Sequence, residues 1–182
     1  IVINLPELRL YYFPEDRPGW VITHPISIGR MDWRTPLGVS HVQSKVLNPT
    51  WYPPESIRME YELDNRSLPK IVPPGPNNPL GNHALRLSLP GYLIHGTNKP
   101  SGVGMRVTHG CIRMFPEDIE ALFSRVPVDT PVHIVNQPYK IGWAEGGFYL
   151  EAHPLLEEEL NNGWTMTALT RAYVLATEEH KV

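Results

Sequence analysis

GYLIHGTNKPSGVGMRVTHGCIRM, Gly91–Met114, is the stretch on which the reading of this chain turns. It opens on an apolar run ending in His95, crosses a loop rich in glycine and polar residues, and closes on a second short run after Cys111. Short apolar runs bounded by turn residues are the mark of strands. A loop between two such strands lays them side by side, so His95 and Cys111 are expected on neighbours. Cys111 is the only cysteine among 182 residues, which excludes an intramolecular disulfide and a zinc site built on several thiolates. The eight histidines show no HExxH-type ligand pair, and no metal or other cofactor is expected.

The two-residue period continues outward. LRLYYF (Leu8–Phe13), VITHPISIG (Val21–Gly29), GVSHVQSKVL (Gly38–Leu47), ALRLSL (Ala84–Leu89) and PVHIVN (Pro131–Asn136) all alternate, with turn chemistry such as PEDRPG and RMDWRTP between them. This predicts a mainly β domain of the sandwich or barrel class. Directly after the cysteine, PEDIEALFSRV (Pro116–Val126) starts with proline and acids and places Ile119, Leu122, Phe123 and Val126 on one face, a short helix packed beneath that segment. KIGWAEGGFYLEAH predicts a hairpin turning at Glu145-Gly146-Gly147. GWTMTALTRAYVLATEEH predicts a helix with Met166, Leu169, Ala172, Tyr173 and Ala176 at helical spacing. Residues 48–79 are dense in proline, with a short helix around ESIRMEYEL, and an insertion of that length in a compact β domain reads as a flap. The expected organisation is a domain over residues 1–136 that carries this flap, with the hairpin and helix of 137–182 packed upon it.

A hydrophobic fraction of 41% fits a globular protein, and a net charge of −3 spread along the chain leaves no electrostatic footprint for nucleic acid. No run reaches the roughly 18 apolar residues of a membrane span. The first residue is Ile1 rather than Met, and no leader is visible, so export stays open from this end.

A cysteine that only fills space sits in an apolar run. Cys111 instead has His109, Gly110 and Arg113 around it. A nearby cation is expected to lower the thiol pKa from about 8.5, and glycine lets another molecule's backbone come close. A buried structural cysteine and a nucleophile both stand on these residues; the polar, cationic flanks favour the nucleophile. His95, sixteen positions earlier (111 − 95), would supply the imidazole of a Cys–His pair, and His109 competes for that role.

His95-Gly96-Thr97 followed by Thr108-His109-Gly110-Cys111-Ile112-Arg113-Met114 resembles the signature of the L,D-transpeptidase (YkuD-type) catalytic domain, in its Gram-negative ErfK/YbiS-like branch. LRLYYF at Leu8–Phe13, TPLG at Thr35–Gly38 and PGPNNPLG at Pro74–Gly81 are similar to that family as well, and the resemblance runs from Ile1 to Val135. It implies a β-sandwich-like fold and a two-step acyl transfer. Cys111 would attack the diaminopimelate carbonyl of a peptidoglycan tetrapeptide stem, D-Ala would leave, and an amine would resolve the thioester. The product would be a 3-3 cross-link or a stem attached to an outer-membrane lipoprotein.

The resemblance also implies roles. His95 would be general base, oriented by the Gly96 carbonyl; the amides of Gly110 and Cys111 would stabilise the oxyanion; His109, Arg113, Thr108 and Tyr92 would contact substrate, with Trp51 and Tyr52 near the groove. It further implies a periplasmic location and acylation of Cys111 by carbapenems. A hydrolase on the same fold (an L,D-carboxypeptidase or a lipoprotein-releasing amidase) and a non-catalytic wall-binding module are the competing readings.

Overall fold

The computed structural model describes residues 1–159 and 164–178. Its strands are β1 (Val2–Asn4), β2 (Arg9–Tyr12), β3 (Ile22–Pro25), β4 (Ile28–Gly29) and β5 (Gly38–Leu47), followed by helix α1 (Glu55–Leu63). Then come β6 (His83–Leu87), β7 (Leu93–His95), β8 (Arg106–Thr108), β9 (Ile112–Arg113), α2 (Pro116–Arg125), β10 (Pro131–Val135), the hairpin β11 (Tyr139–Ala144) and β12 (Gly147–Ala152), and α3 (Trp164–Glu178). The fold is mainly β, with strand order β3-β2-β1-β10-β5-β6-β7-β9.

The long strand β5 organises the two halves. Its first residues pair with β10 and its later ones with β6, and the register shifts between Val42 and Ser44. A bulge of this kind bends a strand and raises its twist. Both halves feed one core, with Ile3, Leu10, Val132 and Ile134 from one side and Leu85, Leu87, Ile94 and Ile112 from the other. Alternation is clearest in β10, where Val132 and Ile134 are buried between exposed neighbours.

Helix α2 starts as expected, with Pro116 in its first turn, Glu117 and Asp118 at the positive end of its dipole and Arg125 in its last turn. Ile119, Leu122 and Val126 enter the core beneath the cysteine segment, and Phe123 packs against it. Each such side chain stabilises the packing by about 2 kcal/mol.

Three expectations change. VITHPISIG is two strands rather than one: Pro25 has no N–H to continue the ladder, Ile26 donates to the Leu8 carbonyl, and Ser27 exchanges both backbone bonds with Arg113, at 2.8 and 3.0 Å. The hairpin turns at Glu145 (φ 49°) and Gly146 (φ 76°), while Gly147 already pairs with Ala144. Positive φ at both central residues matches the strand twist. In α3, Ala176 is buried but Tyr173 is exposed and meets the edge of Phe148 at 6.0 Å; the side chain of Met166, and Gly163, Glu179 and His180, lie outside the described residues.

The hairpin is tied to β1 and β2 through Lys140, whose ammonium lies 3.0 Å from Glu7, Tyr11 and Glu151. Glu7, Glu151 and His153 bring ligand-type atoms within 4.8 Å of one another, and that ammonium pairs with both carboxylates of the group.

The flap contains α1 at the expected ESIRMEYEL, and its base is closed by a residue of the PGPNNPLG stretch that had no role assigned. Asn78 is fully buried; its Nδ2 donates to the carbonyls of Pro49 (2.8 Å) and Pro73 (3.1 Å), and its Oδ1 accepts from the Leu80 amide (2.9 Å). Truncation would leave buried carbonyls and an amide unpaired, at about 1–3 kcal/mol each. Asn78→Ala is therefore expected to lose about 3 kcal/mol in urea unfolding and to open the flap to proteolysis. Cleavage at the wild-type rate would refute this pinning.

Candidate active site

Strands β7 and β9 run parallel, with Ile94 opposite Ile112 and His95 opposite Arg113. Ile94 and Ile112 point into the core and are wholly buried. Alternation therefore puts His95, Arg113 and Cys111 on the opposite face, so the loop from Gly96 brings imidazole, guanidinium and thiol together. The charge of Arg113 acts on His95, His109 and Cys111 alike.

A bonded turn holds the cysteine. The Thr108 hydroxyl donates to the Cys111 carbonyl at 2.6 Å and accepts the Gly110 amide at 3.2 Å. Gly110 has φ +101°, and a Cβ there would lie 3.0 Å from Tyr92 Cε1 and 3.4 Å from the Arg34 carbonyl. No other residue fits this position without strain. Thr108 is buried, and its hydroxyl is engaged within the turn. The Gly110 amide is engaged within the turn, which leaves the Cys111 amide as the oxyanion donor to consider.

Support for the turn comes from a residue whose motif drew notice without a role. Thr35 is buried; its hydroxyl donates to the Gly110 carbonyl at 2.7 Å and accepts the Gly29 amide at 3.0 Å. A Cβ on Gly29 would fall 1.8 Å from the Trp33 carbonyl, so the loop from Gly29 to Thr35 closes only with glycine there. The signal lay in ISIGRMDWRTPLG, a threonine framed by turn residues and a proline.

Electrostatics differ from the simple expectation. Burial pushes the Cys111 thiol pKa up; the Leu93 backbone and Arg113 oppose this without overcoming it. The cation therefore does not give a resting thiolate, and Sγ–H points to the Gly91 carbonyl at 3.6 Å. Burial also lowers His95 to about 4, so the imidazole is neutral near pH 7. Its Nδ1 lies 2.6 Å from the Gly96 carbonyl. A carbonyl only accepts, so the proton is on Nδ1 and the neutral ring keeps Nε2 as its acceptor. Gly96 itself is pressed on α2, a Cβ there lying 3.1 Å from Ile119.

The flap reaches the site through Glu60 of α1, whose carboxylate pairs with Arg30 Nη2 and with His109 Nε2 at 3.2 Å. His109 also meets the Trp33 ring at 5.1 Å, nearly perpendicular. Arg113 is partly buried, and its Nε is buried with no hydrogen-bond partner among the described residues. Tyr92 is half-buried against the core beside Gly110, whereas Trp51 pairs with Val72 inside the flap and Tyr52 is exposed.

The sequence model of the L,D-transpeptidase catalytic domain (YkuD) matches residues 1–134. The chain is 44% identical over 175 residues to the probable L,D-transpeptidase YcfS of Escherichia coli K12, covering 93% of this chain and 54% of that protein. It is 43% identical over 155 residues to the probable L,D-transpeptidase YbiS of the same organism, covering 84% and 50%. It thus spans about half the length of these relatives. The fold is similar to a solved L,D-transpeptidase from Mycobacterium smegmatis, with a TM-score of 0.57 at 22% identity over 74% of this chain and 57% of the other. With a family match across most of its length and relatives above 40% identity over nearly all of it, this chain belongs to the L,D-transpeptidase (YkuD) family.

Proposed function

We propose that the chain joins peptidoglycan stem peptides through a thioester on Cys111. The observation that carries this reading is the cysteine on a glycine-locked turn, on the same sheet face as a buried imidazole whose tautomer is fixed by the Gly96 carbonyl. His95 Nε2 takes the thiol proton as Sγ attacks the diaminopimelate carbonyl of a tetrapeptide stem. Both groups rest neutral, so proton transfer accompanies attack rather than preceding it. The Cys111 amide faces the developing oxyanion. His95 then returns the proton to the departing D-Ala amine, and the C–N bond breaks. A thioester suits the second step because amines open it readily. The acceptor is a second stem or a lipoprotein lysine, and these substrates place the enzyme in the periplasm. Arg113, with its unpartnered buried Nε, would hold a stem carboxylate.

Product analysis tests the reading directly. A disaccharide tetrapeptide incubated with the protein should give dimers lacking one D-Ala, absent with Cys111→Ala, as read by liquid chromatography–mass spectrometry. Tripeptide without dimers would favour a hydrolase, and unchanged tetrapeptide in both samples would favour a wall-binding module. A carbapenem should add its mass to the wild-type chain and not to Cys111→Ala.

The neutral pair has its own signatures. Because burial raises the thiol pKa, alkylation of Cys111 by iodoacetamide should climb with pH through and above the ordinary thiol range. A plateau extending below pH 7 would reveal a resting thiolate and overturn the concerted step. For His95 the unfolded chain binds more protons between pH 6.5 and about 4, so stability falls as pH drops through that window. The loss attributable to this group is roughly 3 kcal/mol. His95→Gln should flatten urea-derived stability across that range, and an unchanged slope would contradict a buried neutral imidazole.

A further inference from the structure

The cysteine turn is associated with two imidazoles, and each has one nitrogen committed to an acceptor. In His95 that nitrogen is Nδ1, on the Gly96 carbonyl; in His109 it is Nε2, on the Glu60 carboxylate. An ionised carboxylate only accepts, so the neutral His109 ring carries its proton on Nε2 and leaves Nδ1 able to take another. The two rings thus carry their protons on opposite nitrogens. His109 precedes Cys111 by two positions, is half-buried, and feels the same Arg113 charge.

Acyl transfer to an amine asks more of the site than hydrolysis does. A lysine-type amine, with a pKa of about 10.4, arrives as an ammonium and must lose one proton before it can attack and a second afterwards. Water arrives already able to attack. A single imidazole that carries the amine's second proton to the sulfur would first have to discharge the extra proton to solvent.

We propose that His109, held by Glu60 of the flap helix, receives the first proton of the incoming ammonium, leaving His95 to serve the sulfur. The inference rests on the thioester reading above. The balance is complete. His109 Nδ1 takes a proton from the ammonium, and the free amine nitrogen bonds to the thioester carbonyl carbon. Its second proton passes to His95, the C–S bond breaks, and His95 protonates the departing sulfur. The His109 imidazolium then releases its proton to solvent.

Glu60 is a positioning residue that acts through His109. The groups facing the ring are this carboxylate, the Arg30 and Arg113 guanidiniums and the Trp33 indole. Arg30 anchors the carboxylate from its other side. The carboxylate comes from the flap and the ring from the cysteine turn, so the acceptor site is assembled only with the flap in place.

The test compares two acceptors on the full chain: a lysine side-chain amine, and hydroxylamine, which is mostly neutral at pH 7. Glu60→Ala, Glu60→Gln and His109→Gln are measured beside Ile57→Ala, which loosens the buried contact of the flap helix without touching the pair. Thioester on Cys111 is followed by intact mass, and transfer is scored against hydrolysis. His109→Gln and Glu60→Ala should lower the ratio of lysine transfer to hydroxylamine transfer about 100-fold, in the range of general-base catalysis. Glu60→Gln, which retains an acceptor for Nε2–H, should fall between, and raising the pH towards that of the free amine should narrow every deficit. Equal losses with both acceptors, or the same selective loss in Ile57→Ala, would overturn the proposal and leave a structural clamp. Failure of the wild type to form any thioester would instead remove the reading beneath it.

Discussion

The hydrogen bond from Thr35 to the Gly110 carbonyl is the contact on which the site depends. One hydroxyl joins the loop after β4 to the backbone immediately before the sulfur, and it simultaneously satisfies the Gly29 amide. A buried hydroxyl between a buried donor and acceptor is costly to lose, since both partners are then stranded. Around it, glycines at 29 and 110 are imposed by atoms that leave no room for a side chain. The thiol's position is therefore set by backbone packing more than by its own contacts. Its weak bond to the Gly91 carbonyl is consistent with a side chain kept ready to move.

Much of this was legible beforehand, and what was missed has a common cause. Alternation located β2, β5, β6, β7 and β10, and proline with acids located α2, because these signals are local. The proximity of β7 to β9 could be read from a loop joining two short apolar runs. By contrast, the pairing of Ser27 with Arg113 after Pro25, the Asn78 bond to Pro49 and the Thr35 bond to Gly110 depend on partners distant in sequence. Thr108 and Gly110 were singled out for substrate and oxyanion, but their atoms bond to one another, which no linear reading distinguishes from bonding to a ligand. The thiol's acidity failed in the same way: Arg113 is near, as its position in the sequence suggested, yet desolvation outweighs it. Burial is a property of the fold, and one sequence states it only indirectly.

Opposed charge and burial also explain why the flap has a defined seat. Glu60 reaches the site with both oxygens engaged, one by a cation of the loop preceding β5 and one by the cysteine turn. A carboxylate bridging two segments fixes their spacing more strictly than an apolar contact would, because its geometry tolerates little drift. Apolar burial of Ile57 then adds adhesion without direction.

The pin of the flap carries a consequence for chemical ageing. Asparagine side chains deamidate when the backbone nitrogen of the following residue attacks the side-chain carbonyl and closes a succinimide ring. Asn78 is followed by Pro79, whose nitrogen bears no hydrogen and is already fully substituted. The route is therefore blocked at an amide whose conversion to aspartate would put a charge among buried carbonyls. The neighbouring Asn77 has no such shield, being followed by an ordinary amide. Placing the structural duty on the second asparagine gives the flap a pin shielded from succinimide formation.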